Sequence, residues 1–153
     1  GNTGQILRGE ISLGYGVQRP DDPRLSNISG ILIDSNLAWR LSELTSVQFS
    51  ASSDVVETTT AGAGGVLTHQ VGVEARHAFR RQLIGSAGLN YTLQDFAGVE
   101  IIETEWRDTL GVEDFLHREA VLFGRFAHTV FNSTEPNTDY TSDDIRLGLR
   151  LRR

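Results

Sequence analysis

Arg146 and Arg150 stand four residues apart with Leu147 and Leu149 in the odd positions around them, and on an extended chain that parity points both guanidiniums the same way. The same every-second spacing recurs along the chain. It groups Arg8 with Glu10, Asp34 with Arg40, and Glu74 with Arg76, and it places Asp54, Arg107, Glu113 and Arg125 on equivalent positions of their own segments. Ions removed from bulk water must pair or stay hydrated, so such a face either forms ladders of ion pairs or lines water. Arginine suits both, because its planar fork bridges carboxylates with two parallel hydrogen bonds. The chemistry on offer is reversible contact with a polar or charged solute. Bond-making chemistry has no comparable support. His69, His77 and His128 fall on the opposite parity and His117 on a turn, so no pair has metal-ligand spacing toward the charged face. Gly62-Ala63-Gly64-Gly65 opens a strand rather than a helix and is no phosphate loop. No Ser/His/acid triad stands out. No catalytic residue, metal ligand or cofactor is expected.

Strands must hold these residues. Apolar side chains alternate with the polar ones over 5–18, 29–41, 45–56, 66–79, 82–94, 102–114, 119–131 and 140–152. In the first of these Leu7, Ile11, Leu13, Tyr15 and Val17 oppose Arg8, Glu10, Ser12 and Gly14; in the last Ile145, Leu147, Leu149 and Leu151 oppose the arginines. The register of the seventh is the least determined, with Leu122, Gly124, Phe126 and Val130 assigned to the apolar face. Short connections fall near 43, 81 and 117, and long ones near 23, 61, 98 and 135. The stretches Arg19 to Arg24 and Thr58 to Gly65 have loop chemistry, the second flexible. Strict alternation of short turns and long loops is the pattern of a transmembrane barrel, whereas Greek-key sandwiches have no reason to keep it.

Composition narrows the class further. The 153 residues include fourteen arginines and no lysine, cysteine or methionine, so neither a disulfide nor a thiolate metal site can form. Gly1-Asn2-Thr3-Gly4, with no basic segment leading into an apolar run, reads as the front of a mature, processed or trimmed chain. A net charge of −6 argues against nucleic acid as partner. No run of eighteen apolar residues exists for a transmembrane helix, but barrel strands alternate and average out to a mean hydropathy such as the −0.23 found here.

Aromatic placement is an independent check. With the long loops up, Tyr15, Tyr91 and Trp106 face outward just below a long loop, while Trp39 and Phe79 face outward beside short turns. Two aromatic belts separated by aliphatic residues are what two membrane interfaces select. One residue fits badly. Asp108 has outward parity below Trp106, where a carboxylate in hydrocarbon is costly, so a bulge or shifted register is expected in the sixth strand. Barrel width also enters. An eight-stranded barrel is just filled by side chains, yet many inward positions here are small, among them Ser12, Gly14, Ser50, Gly72, Gly88 and Gly111. That favours a wet lumen in a wider barrel.

The ending Ile145-Arg146-Leu147-Gly148-Leu149-Arg150-Leu151, with Leu110-Gly111-Val112-Glu113-Asp114-Phe115 followed by Ala120-Val121-Leu122-Phe123-Gly124, resembles the putative beta-barrel porin 2 family over most of the chain. The resemblance implies a bacterial outer-membrane barrel of more than eight strands, of a kind found with exopolysaccharide secretion systems and proposed as a polysaccharide exit pore. It carries over no catalytic residues. This chain has about half the length that resemblance implies, which suggests a fragment or a protomer needing other strands, and it ends in Arg152-Arg153 rather than an aromatic.

The expectation is therefore an all-β, transmembrane, antiparallel up-and-down β-barrel with eight strands in this chain, complete or part of a larger barrel, in the bacterial outer membrane. Its function would be a polar conduit for polysaccharide export. Its partners would be outer-membrane lipid, polysaccharide, other envelope export components and further strands outside this chain. A closed eight-stranded barrel acting as an anchor or binding module through its long loops is the alternative, and a soluble β-sandwich the third possibility.

Overall fold

The computed structural model describes residues 6–19, 21, 28–56 and 64–152. Among the described residues eight strands follow one another: β1 (Ile6–Gln18), β2 (Ile28–Arg40), β3 (Thr45–Val56), β4 (Val66–Ala78), β5 (Leu83–Phe96), β6 (Ile102–His117), β7 (Ala120–Ser133) and β8 (Tyr140–Leu151). They form one antiparallel sheet in chain order, each strand hydrogen-bonded to the next. Up-and-down order follows from the short turns, which leave consecutive strands no route except side by side. At the first turn the Ser42 hydroxyl accepts from the backbone N–H of Leu44 (3.2 Å) and Thr45 (3.1 Å). Such side-chain capping is why a serine serves there.

Three strands run further than their alternation indicates. β5 continues to Phe96, β7 to Ser133, and β6 to His117, which belongs to a strand end rather than to the turn. The register between β6 and β7 slips at Phe115/His117, beside the short turn. From Glu103 to Phe115 it is regular, so the irregularity expected near Asp108 is absent and Asp108 keeps its outward parity. On the long-loop side Gly98, with φ at 89°, supplies a left-handed turn between β5 and β6. The Thr134 hydroxyl there joins two loops, accepting from the Ile102 N–H and donating to the Glu100 carbonyl, each at 3.0 Å. Both loop stretches expected from the sequence, 19–24 and 58–65, lie largely outside the described residues.

The sheet is open. Among the described residues β1 and β8 are its two edges and do not pair with each other, so the sheet is not closed into an eight-stranded barrel. A soluble sandwich is equally absent among the described residues: there is no second sheet, and Val66 (4% exposed) and Val121 (2%) are the only fully buried apolar side chains. Leu147 at 83%, Ile145 at 71% and Leu13 at 70% have no protein cover.

Candidate functional site: the charged face of the sheet

Residues directly opposite in an antiparallel ladder share a face, so the register sorts every side chain. Arg8 stands opposite Ala38, Ala38 opposite Gln48, Gln48 opposite Glu74, and the row continues through Gly88, Thr109 and Ala127 to Asp144. The next row toward the long loops carries Glu10 and Arg107, and the one beyond it Asp34 and Glu105. Toward the short turns the adjacent row holds Arg40, Arg76, Arg125 and Arg146, with Glu113 and then Arg150 in the rows below. Together with Asp54, opposite Thr68, all twelve ionisable residues singled out by spacing lie on one face.

Small residues make that face hollow. Ser86, Gly88, Gly111 and Ala127 floor a cavity of about 340 Å³ walled by Glu74, Asn90, Arg107, Arg125, Asp144 and Arg146. Space is tight at the floor: a Cβ on Gly88 would lie 2.6 Å from the Thr109 Oγ1, and one on Gly111 would lie 2.6 Å from the Ser86 Oγ. Pairing is sparse. Among the described residues the one ion pair on this face is Arg146 with Asp144 on the same strand, at 3.3 Å and exposed. Gln48 donates to the Asn36 Oδ1 at 3.1 Å, and the Arg150 guanidinium lies over the Phe123 ring, 5.1 Å from its centre.

The opposite face is apolar, and its apolar band is slanted. On β1 the run Leu7–Val17 has its midpoint at residue 12, which the register carries across all eight strands to Tyr140. On β8 the run Ile145–Leu151 has its midpoint at Gly148, eight residues nearer the short-turn end. With ~3.3 Å per residue and ~4.8 Å per strand, that drift over seven strand steps corresponds to a strand tilt of roughly 40° against the band. Barrel strands in membranes tilt by about 35–45°. Tyr91 and Trp106 pair directly on this face toward the long loops, with ring centres 4.6 Å apart. Tyr15 lies on the same side of the slanted midline, and Trp39 and Phe79 lie on the short-turn side, Phe79 65% exposed.

Carboxylates interrupt the band at two places, at Asp114, opposite Leu83 and Leu122, and at a cluster around Asp108. Asp108 stands opposite His128 and His128 opposite Asp143, whose Oδ1 is 2.5 Å from the His128 Nδ1. The spacing of these residues in sequence, fifteen and twenty apart, gave no hint of the contact; only the register brings them together. The other outward histidines bond hydroxyls: Thr45 with His77 and Ser53 with His69, both at 2.7 Å. Neither pair has a carboxylate partner among the described residues. Thr68 Oγ1 and Asp114 Oδ1 are buried without a hydrogen-bond partner.

A single up-and-down antiparallel sheet, uncovered and apolar on one side and charged and hollow on the other, has the form that the wall of a β-barrel takes. Residues 2–153 match the family described as putative beta-barrel porin 2, and the chain belongs to that family. Membership implies a membrane-embedded β-barrel. No curated protein and no solved structure matches the chain.

Proposed function

We propose that this chain builds part of the wall of a bacterial outer-membrane porin whose charged face lines a polar conduit for polysaccharide export. The observation that carries this reading is the exposed apolar face with its roughly 40° slant: apolar surface of that extent is covered by something, and the tilt is the one that spanning strands adopt. The opposite face offers serine, threonine, asparagine and glutamine beside arginine, donors and acceptors suited to sugar hydroxyls and acidic groups. It offers no grouping of three or more metal-binding side chains among the described residues.

The open edges belong to the same proposal. In hydrocarbon an unpaired strand edge leaves backbone groups unsatisfied, so β1 and β8 must acquire neighbours on insertion. Further strands beside both edges give a wider and wetter lumen than eight strands can enclose. Conductance in planar lipid bilayers tests the conduit, with Arg76→Ala, Arg125→Ala and Arg150→Ala expected to change conductance more than folding. Full insertion with no conductance, or conductance untouched by all three changes, overturns it. A cysteine on β1 and another on β8 test the closure: an efficient crosslink within one inserted chain would mean that this chain closes by itself.

A further inference from the structure

We propose that one cross-strand row of the charged face is a contact track for an acidic polysaccharide, a carboxylate-bearing sugar chain. The inference rests on the conduit reading above and names the class of solute. Arg40, Arg76, Arg125 and Arg146 occupy a single row, with only Ser46, Ser86 and Gly111 between them. No carboxylate stands in that row. Glu74 and Asp144 lie in the row on the long-loop side, and Glu113 in the row on the short-turn side. A wall braced by ion pairs would set acid directly opposite base, because directly opposed like charges destabilise a sheet. Here Arg125 and Arg146 oppose each other directly. Among the described residues Arg40, Arg76 and Arg125 form no ion pair, and Arg146 has only its exposed strand neighbour Asp144. The positive charge of the row is left for something outside the wall.

Geometry identifies what could use it. Because the apolar band is slanted, the row climbs. Arg40 is the last residue of β2, at the short-turn rim; Arg76 lies two residues inside the end of β4; Arg125 and Arg146 each lie five residues inside β7 and β8. Six strand intervals at ~4.8 Å stretch the four guanidiniums over roughly 29 Å. One small anion spans at most the Arg125/Arg146 pair, whereas a chain with repeated carboxylates spans them all. The 340 Å³ hollow beside Arg125 and Arg146, floored by serine and glycine, gives a sugar ring room and hydroxyl partners. At the long-loop end the sign reverses: Asp54, Glu103 and Glu105 stand there on the same face. A polyanion is thus attracted at the short-turn rim, held part-way up the wall and repelled at the far end.

The test uses the full chain folded in detergent, with its β content checked by circular dichroism, and calorimetric titration with trigalacturonate, uncharged maltotriose and inorganic sulfate. Trigalacturonate should bind, more weakly as salt rises, and with roughly tenfold or greater loss in R125A/R146A. Arg125→Lys/Arg146→Lys should recover part of that loss, and Arg118→Ala, in the turn after β6, should leave binding unchanged. If R125A/R146A does not fold, Arg40→Gln/Arg76→Gln at the rim carries the same expectation. Equal binding of maltotriose, sulfate binding as tight as the trimer, or affinity indifferent to both arginine pairs would each sink the track. A protein that conducts ions but ignores trigalacturonate loses the track and keeps the conduit. Binding without conductance in bilayers keeps the track and discards the conduit.

Discussion

The first hairpin, β1–β2, and the last, β7–β8, share a backbone geometry and differ in chemistry. On β1 the outward residues remain apolar from Leu7 to Val17, apart from Gly9, and β2 answers with Ile31, Ile33, Leu37 and Trp39. On β8 only the half toward the short turn is apolar, and beyond Ile145 come Asp143 and Thr141, opposite His128 and Val130. The inner faces differ too. The first hairpin balances Arg8 and Arg40 with Glu10 and Asp34, whereas the last concentrates Arg125, Arg146 and Arg150 against Asp144 alone. The outer difference teaches that the apolar band crosses the strands at different residues. The inner difference teaches that charge on this wall is sorted by position rather than paired wherever it falls.

The outer comparison can be broken most forcefully by arginine substitution. Leu147→Arg, at the middle of the band on β8, should cost about 2–4 kcal/mol in bilayers, and Thr141→Arg, outward on the same strand but beyond the band, about 0–1 kcal/mol. Urea unfolding from phospholipid vesicles measures both. Equal penalties would mean that the apolar band is not slanted.

The inner comparison rests on packing as well as charge. A Cβ on Gly148 would meet the Phe123 ring at 2.5 Å, while one on Gly14 would meet nothing within 4 Å. Gly148→Ala should therefore destabilise by about 1–3 kcal/mol, and Gly14→Ala should stay within about 0.5 kcal/mol. Equilibrium unfolding in detergent would expose a reversal.

Next in size is the polar spot at the border between the two outer regimes. Asp108→Leu should stabilise the protein in bilayers by about 1 kcal/mol, with a smaller gain in detergent, where water reaches the carboxylate. A loss in both media would assign Asp108 a structural role with His128. Smallest is Arg150→Ala, which removes the stacking on Phe123 and should lower stability by only about 0.5–1 kcal/mol. A larger loss would make Arg150 part of the fold rather than of the lining.

Much of this architecture is legible in the chain because alternation is a local property. Leu147 and Arg146 are neighbours, and any extended backbone sends them to opposite faces whatever lies beside the strand. The short turns at 43, 81 and 117 then order the strands, since connections of two to four residues permit little else. Strand ends were less legible: Phe115, Leu116 and His117 lack clean alternation, and β6 keeps its ladder there through a register slip. Asp108 shows the limit from the other side. Its parity was read correctly, but the expected bulge assumed that an outward carboxylate must be moved, whereas a histidine and a second aspartate accompany it across the sheet.

The sequence by itself determined which residues share a face, because that depends on a two-residue period carried within each strand. Only the tertiary structure decided which of them stand side by side. Arg40, Arg76, Arg125 and Arg146 are scattered over more than a hundred positions, and they become one row because hydrogen bonds between strands fix a register that no single strand encodes. The same long-range pairing leaves β1 and β8 as open edges.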